Sequence, residues 1–227
     1  LLDQYNVEVT VNDFYANRKL LGKRKQGYDD FANEVSLFLN YICSQLTSYY
    51  VTMYNWKDVM NYRFEYRLFE PVMKYIEEND LTRYPVIKAQ YQILKIMENE
   101  DDDNLYYDLK KTYIKEMDDL TVKDRIRTGT LLINDALRRF MLGKTNFNAE
   151  RFEIMKLQLK HDIYQKEEGW LSREQYFNYV HTSISLGELE WAEKFTLDNT
   201  AKLAPDIRKH ASSYAKGMLC FHKKEYD

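Results

Sequence analysis

The chain has 227 residues, with only seven Gly and three Pro among them. So few turn formers exclude a sandwich, a barrel or a doubly wound sheet, whose strand ends consume them. Hydrophobic residues at 44% and charged residues at 30% exclude a disordered chain, no run reaches the ~18 consecutive apolar residues of a membrane span, and a net charge of −3 gives no overall pull toward nucleic acid or an anionic membrane.

The chain opens Leu1-Leu2-Asp3, without Met, a basic n-region or a signal-type apolar stretch. It stops at Asp227 inside what reads as a structural unit, so the sequence reads as a piece of a longer protein. Tyr5, Val7, Val9 and Val11 alternate with polar residues, but one strand would lack a partner, and 5–11 is expected to be extended chain. A short helix is expected over 13–25. Apolar stripes over 28–47 (Phe31, Val35, Phe38, Ile42, Leu46) and 56–78 (Val59, Met60, Phe64, Leu68, Val72, Tyr75, Ile76) predict two further helices. Residues 1–80 are thus expected to be an irregular helical segment packed on an array formed by 81–227.

From residue 84 the periodicity is regular. Leu105, Leu109, Tyr113 and Met117 step by four. Ile126, Thr130, Ile133, Leu137 and Phe140 step by four and three, as do Phe152, Met155, Leu159 and Ile163, and Phe177, Val180 and Ile184. Such spacings are amphipathic helices. Boundary chemistry agrees. Thr121 precedes Asp124 by three, and Ser172 precedes Gln175 by three, as in capping boxes. Asn148 with Glu150 marks a start, Pro85 suits a first turn, and Gly143, Gly169 and Gly187 fall where helices should end. The predicted helices are 84–98, 104–117, 122–142, 149–166, 173–186, 189–203 and 206–224. The short loops between them predict antiparallel pairs. Second helices begin near 104, 149 and 189, and a period near 40 residues is the mark of an all-α solenoid.

Residues 214–227 read Tyr-Ala-Lys-Gly-Met-Leu-Cys-Phe-His-Lys-Lys-Glu-Tyr-Asp. This resembles the first helix and turn of a tetratricopeptide repeat, with Gly217 and Tyr226 at the family's nine-residue spacing. One unit earlier, Leu186-Gly187-Glu188-Leu189-Glu190-Trp191-Ala192 resembles the turn and second helix. Val180 stands where the family has Gly, Lys224 replaces the turn Gly, and Pro205 lies one position late. The likeness covers 173–227 well and 84–170 loosely. It implies a right-handed superhelix of helical hairpins whose first helices line a concave groove for an extended peptide or partner helix. It implies that Gly217 lets neighbouring helices approach. The groove residues it implies are Phe177, His181 and Ile184 in one unit, Tyr214, Met218 and Phe221 in the next, and Ile133, Leu137 and Phe140 from an alignment on Gly143. Tyr214 and Met218 stand where some relatives grip a carboxylate with Lys and Asn, so that clamp is not implied.

Catalytic chemistry finds little footing. His161, His181, His210 and His222 lack the i, i+4 pairing of a helical metal site, and there is no HExxH, GxSxG, P-loop or GxGxxG. Cys43 and Cys220 form no disulfide framework, and reduced thiols suit a cytoplasmic protein. Cys220 reads as a small buried apolar group, because His222 two residues on points elsewhere. The acidic run Glu98–Asp103 lacks the glycine of a calcium loop and reads as a solvated connection favouring the next helix start. The basic run at Arg18, Lys19, Lys23, Arg24 and Lys25 has no aromatic platform for bases and reads as a solvated helix end. Glu167, Glu168 and Trp170 fall in an inter-repeat loop. The expectation is a non-catalytic scaffold for a protein or peptide partner, with no cofactor, metal, nucleic acid or membrane span. The alternatives are a structural spacer, or a self-association module working through a C-terminal helix in which Met218, Leu219 and Phe221 stay partly exposed. A helical ligand-binding or enzymatic domain would need a deep polar cleft.

Overall fold

The computed structural model describes residues 26–60, 63–164, 166–167 and 169–224. The expectations for 5–11, 13–25, the basic run Arg18–Lys25, Glu168 and Tyr226 lie outside them. The described chain is all-helical but for one two-residue strand pair. It divides into two compact units, Leu1–Thr121 and Val122–Asp227.

The first unit holds α1 (Gln26–Met60), α2 (Phe69–Glu78), α3 (Pro85–Glu98) and α4 (Asp103–Glu116), with short 3-10 turns at Leu81–Arg83 and Met117–Asp119. Helix α1 runs unbroken for 35 residues, through the interval that the sequence reading left between 47 and 56. No Gly or Pro interrupts that interval, and Tyr50, Val51 and Tyr54 within it are buried, so packing carries the helix across. The stripe read over 56–78 is two helices, not one. The break is built around Tyr50, whose ring meets those of Tyr66 and Phe69 and whose hydroxyl donates to the Arg67 carbonyl. Helix α1 packs on α3, where the Thr47 hydroxyl donates to Gln90 Oε1 at 2.6 Å. The helices Gln26–Met60 and Phe69–Glu78 therefore pack with the chain that follows them, and the division between the units falls at 121/122 rather than 80/81. Pro85 opens α3 as expected. The acidic run is absorbed locally: the Asn104 N–H donates to Asp102 Oδ1 at 2.9 Å, capping α4, and Glu100 pairs with Lys57.

The second unit holds α5 (Val122–Met141), α6 (Phe147–Lys160), the strand pair β1 (Lys166–Glu167) and β2 (Trp170–Leu171), α7 (Arg173–Ser185), α8 (Leu189–Asn199) and α9 (Arg208–Lys223). Helix α5 packs on α6, α6 on α7 and α7 on α8, and α9 lies against both α7 and α8. The connections at 142–146 and 186–188 are short because Gly143 and Gly187 take φ of +94° and +76°. Each returns the first free N–H to the helix it ends: Gly143 to Phe140 O and Gly187 to Ile184 O, both at 2.9 Å. Ser172 caps α7 by accepting from Gln175 N–H at 3.2 Å, as its spacing predicts.

Several boundaries differ. Helix α6 starts at Phe147, so Asn148 does not open it; its amide donates to Ser185 Oγ on α7 at 2.8 Å. Helix α6 ends at Lys160 rather than 166. Asp162 turns the chain with φ of 53°, which lets Ile163 and Tyr164 drop into the core. Ile163 therefore fits the helical spacing without being helical. Helix α8 ends at Asn199 and passes into a 3-10 turn (Thr200–Lys202) that delivers Leu203 to the interior. Helix α9 begins at Arg208.

One core of the second unit gathers Met155, Tyr164, Leu171, Tyr176, Tyr179, Val180, Phe195 and Leu203 with the small Ala192, Ala211 and Ala215. Helix α5 adds a buried charge pair. Asp135 accepts from Arg139 Nε at 2.7 Å and from Arg138 at 2.8 Å, and the Arg139 guanidinium lies 5.4 Å from the Phe147 ring centre. Arg139 and Asp135 are both buried. Removing the carboxylate would leave a buried cation without this partner. Asp135→Ala should therefore cost about 3 kcal/mol. The double variant Asp135→Leu/Arg139→Met should recover most of that loss, both read by urea unfolding.

Candidate functional site

The residues that the resemblance assigns to a groove divide into three groups. Phe177 and His181 on α7 and Tyr214 on α9 come together. The Phe177 and Tyr214 rings meet edge to face at 4.8 Å, His181 stacks on Phe177 at 6.1 Å, and His181 Nε2 lies 3.0 Å from the Tyr214 hydroxyl. His181 and Tyr214 are exposed, and Phe177 is half-buried with its inner edge on the core. Met218 and Phe221 continue the Tyr214 face of α9 at helical spacing. Met218 is half-buried against the core, whereas Phe221 is 62% exposed. This surface is an aromatic strip with one polar pair, the imidazole and phenol, set in it.

Ile184 is a correction. It is only 5% exposed and belongs to the same core as Ala192 and Phe195, because it lies on the inward face of α7 with Tyr176 and Val180. Ile133, Leu137 and Phe140 on α5 are half-buried, and Ile133 packs on the same core. No hydrogen bond or ring contact joins them to the α7–α9 strip among the described residues. Leu219 is buried rather than partly exposed. Gly217 does not serve a close helix approach: it is exposed, and a Cβ built there would meet nothing within 4 Å. The small residues that admit α9 are Ala211 and Ala215, both buried. Spacing alone could have found them, since they sit four apart on the face opposite Lys209 and Ser213.

Cys220 is exposed rather than the small buried group expected, and the buried thiol is that of Cys43. Burial pushes the Cys43 thiol above the ordinary range. The four histidines are all exposed. His222 holds its Nδ1 2.9 Å from the Met218 carbonyl oxygen. Among the described residues no group of three or more His, Cys, Asp or Glu is placed to hold a metal ion. No helix among them is long and apolar enough to cross a membrane.

The sequence did not reveal the buried polar groups of α6 and α7: Asn148, Arg151, Gln158 and Thr182 are all buried, and Asn148 reaches the exposed Ser185. Burial lowers the Arg151 pKa, since a guanidinium out of water favours its neutral form. Asn148, Arg151 and Gln158 follow one another at helical spacing on α6, and their polarity disguises them as solvent-facing.

Comparison with known proteins finds no relative: no family model matches the chain, and neither a curated protein nor a solved structure is similar to it.

The edge-to-face pair of Phe177 and Tyr214 joins α7 to α9 directly. A double-mutant cycle on Phe177→Ala and Tyr214→Ala should show a coupling of about 1 kcal/mol in urea unfolding. A coupling near zero would mean that the two rings do not hold each other in solution.

Proposed function

We propose that the second unit is a segment of helical-repeat scaffold that binds a protein or peptide partner along the α7–α9 strip and performs no catalysis itself. In this reading α5–α6 and α7–α8 are successive hairpins, and α9 is the first helix of the next. The packing of α9 on both helices of the preceding pair supports it, as does the likeness of 173–227 to a tetratricopeptide repeat.

The observation that carries the reading is the pre-arrangement of Phe177, His181 and Tyr214. Three rings held by one another present their outer faces without further ordering, which lowers the entropic cost of binding. Tyr and Trp anchors of this kind carry most of the energy at protein interfaces. An extended segment with apolar side chains would fill the aromatic strip. One of its backbone or side-chain polar groups would meet the His181–Tyr214 pair.

A displayed peptide library panned on the whole chain tests this. The selected peptides should share apolar anchor positions. Phe177→Ala and Tyr214→Ala should each weaken them by tenfold or more, roughly 1.4 kcal/mol, with the helical circular dichroism unchanged. Peptides whose affinity ignores both substitutions would contradict the proposed surface. A library yielding none would favour the spacer reading.

A further inference from the structure

Helix α1 is apolar on two faces. The first is occupied: Cys43, Thr47, Tyr50 and Tyr54 step by four, three and four and are buried in the first unit. The second lies about a quarter turn away. Val35, Leu39, Ile42, Leu46, Tyr49, Met53 and Trp56 step by four, three, four, three, four and three. Val35, Leu39, Tyr49 and Trp56 are between 42% and 64% exposed, and Ile42, Leu46 and Met53 are half-buried. At 1.5 Å per residue this row is about 32 Å long. An unbroken alternation of four and three is the 3.5-residue period of a two-helix seam, so the surface is shaped for another helix.

Charge identifies that helix. The 22 residues from Val35 to Trp56 contain no Asp, Glu, Lys or Arg, in a chain where such residues make up 30%. Positions flanking the row, such as Phe38, Gln45 and Thr52 on one side and Ser36 and Cys43 on the other, are neutral. Seams that select a different partner do so with charges at those flanks. A neutral seam meets a copy of itself without like-charge repulsion.

We propose that this row of α1 is the interface of a homodimer, in which the two α1 helices pair antiparallel about an axis at Ser44. In that register Ala32 faces Trp56, Val35 faces Met53, Leu39 faces Tyr49 and Ile42 faces Leu46, and each pairing occurs twice by symmetry. Trp56, Met53 and Tyr49 each meet a smaller side chain, and Ile42 and Leu46 are equal in size, so the layers have similar volume. A parallel pair would set Trp56 against Trp56 and Tyr49 against Tyr49, while Val35 met Val35. Ala32 is exposed, as the first layer requires.

Sedimentation equilibrium and thiol cross-linking of the full chain test this. The wild type should sediment as a dimer in the micromolar range. Leu39→Glu with Tyr49→Glu, at exposed positions, should weaken dimerisation by roughly 100-fold while leaving the circular dichroism intact. With Cys220→Ser in the background, a short bis-maleimide should couple Val35→Cys to Met53→Cys when the two variants are mixed, and should not couple either variant to itself. A wild-type monomer at 100-fold higher concentration would overturn the proposal. So would a dimer indifferent to the paired glutamates, and self-coupling of Val35→Cys would overturn the antiparallel register.

Discussion

Helix α7 is held by aromatic side chains that reach in two directions. The Tyr179 hydroxyl donates to the Met155 carbonyl oxygen on α6 at 3.0 Å, while its ring lies 4.9 Å from Phe195 and 6.2 Å from Trp191 on α8. Tyr176 adds a second contact to Phe195 at 5.3 Å, and its hydroxyl meets Thr200 Oγ1 at 2.9 Å. These buried rings fix the rotation of α7 about its own axis. Once Tyr176, Tyr179, Val180 and Ile184 point inward, Phe177 and His181 have one direction left, toward Tyr214 on α9. The aromatic strip is thus a geometric consequence of the core beneath it, and its outer rings need no ordering of their own.

The hydroxyls matter as much as the rings. A buried phenol needs a partner or it costs a kcal/mol or more, and Tyr179 finds one in a helical carbonyl. Serine and threonine in α7 and α8 do likewise: Ser183 donates to Tyr179 O at 2.7 Å and Thr196 to Ala192 O at 2.9 Å. Ser183 and Thr196 are accommodated on inward faces because each returns to its own helix backbone. This lets helices with modest apolar content pack closely, and it explains how a Tyr-rich chain with 20 tyrosines builds a dense interior.

Much of the fold was legible because helical spacing and stop signals coincide. Gly143 and Gly187 end helices where the periodicity does, and Ser172 caps where its Gln partner says it should. Legibility failed where burial overrides pattern. The uncharged middle of α1 lacks an exposed polar face, so its continuity could not be read from amphipathicity. Ile163 mimics the next turn of α6 but lies past a left-handed Asp162. At the candidate site, Phe177, His181 and Tyr214 were legible through the repeat-like spacing. The inward turn of Ile184 and the idle Gly217 were not, since both depend on the rotation of α7 and α9, which tertiary contacts set.

Native-state hydrogen exchange on the chain carrying Tyr179→Ala tests most directly whether one aromatic residue organises α6, α7 and α8. Tyr179 sits against both neighbours of its helix, so amides across 147–199 should lose protection together, by a common factor. Loss confined to α7, with α6 and α8 protected as in the wild type, would contradict the account.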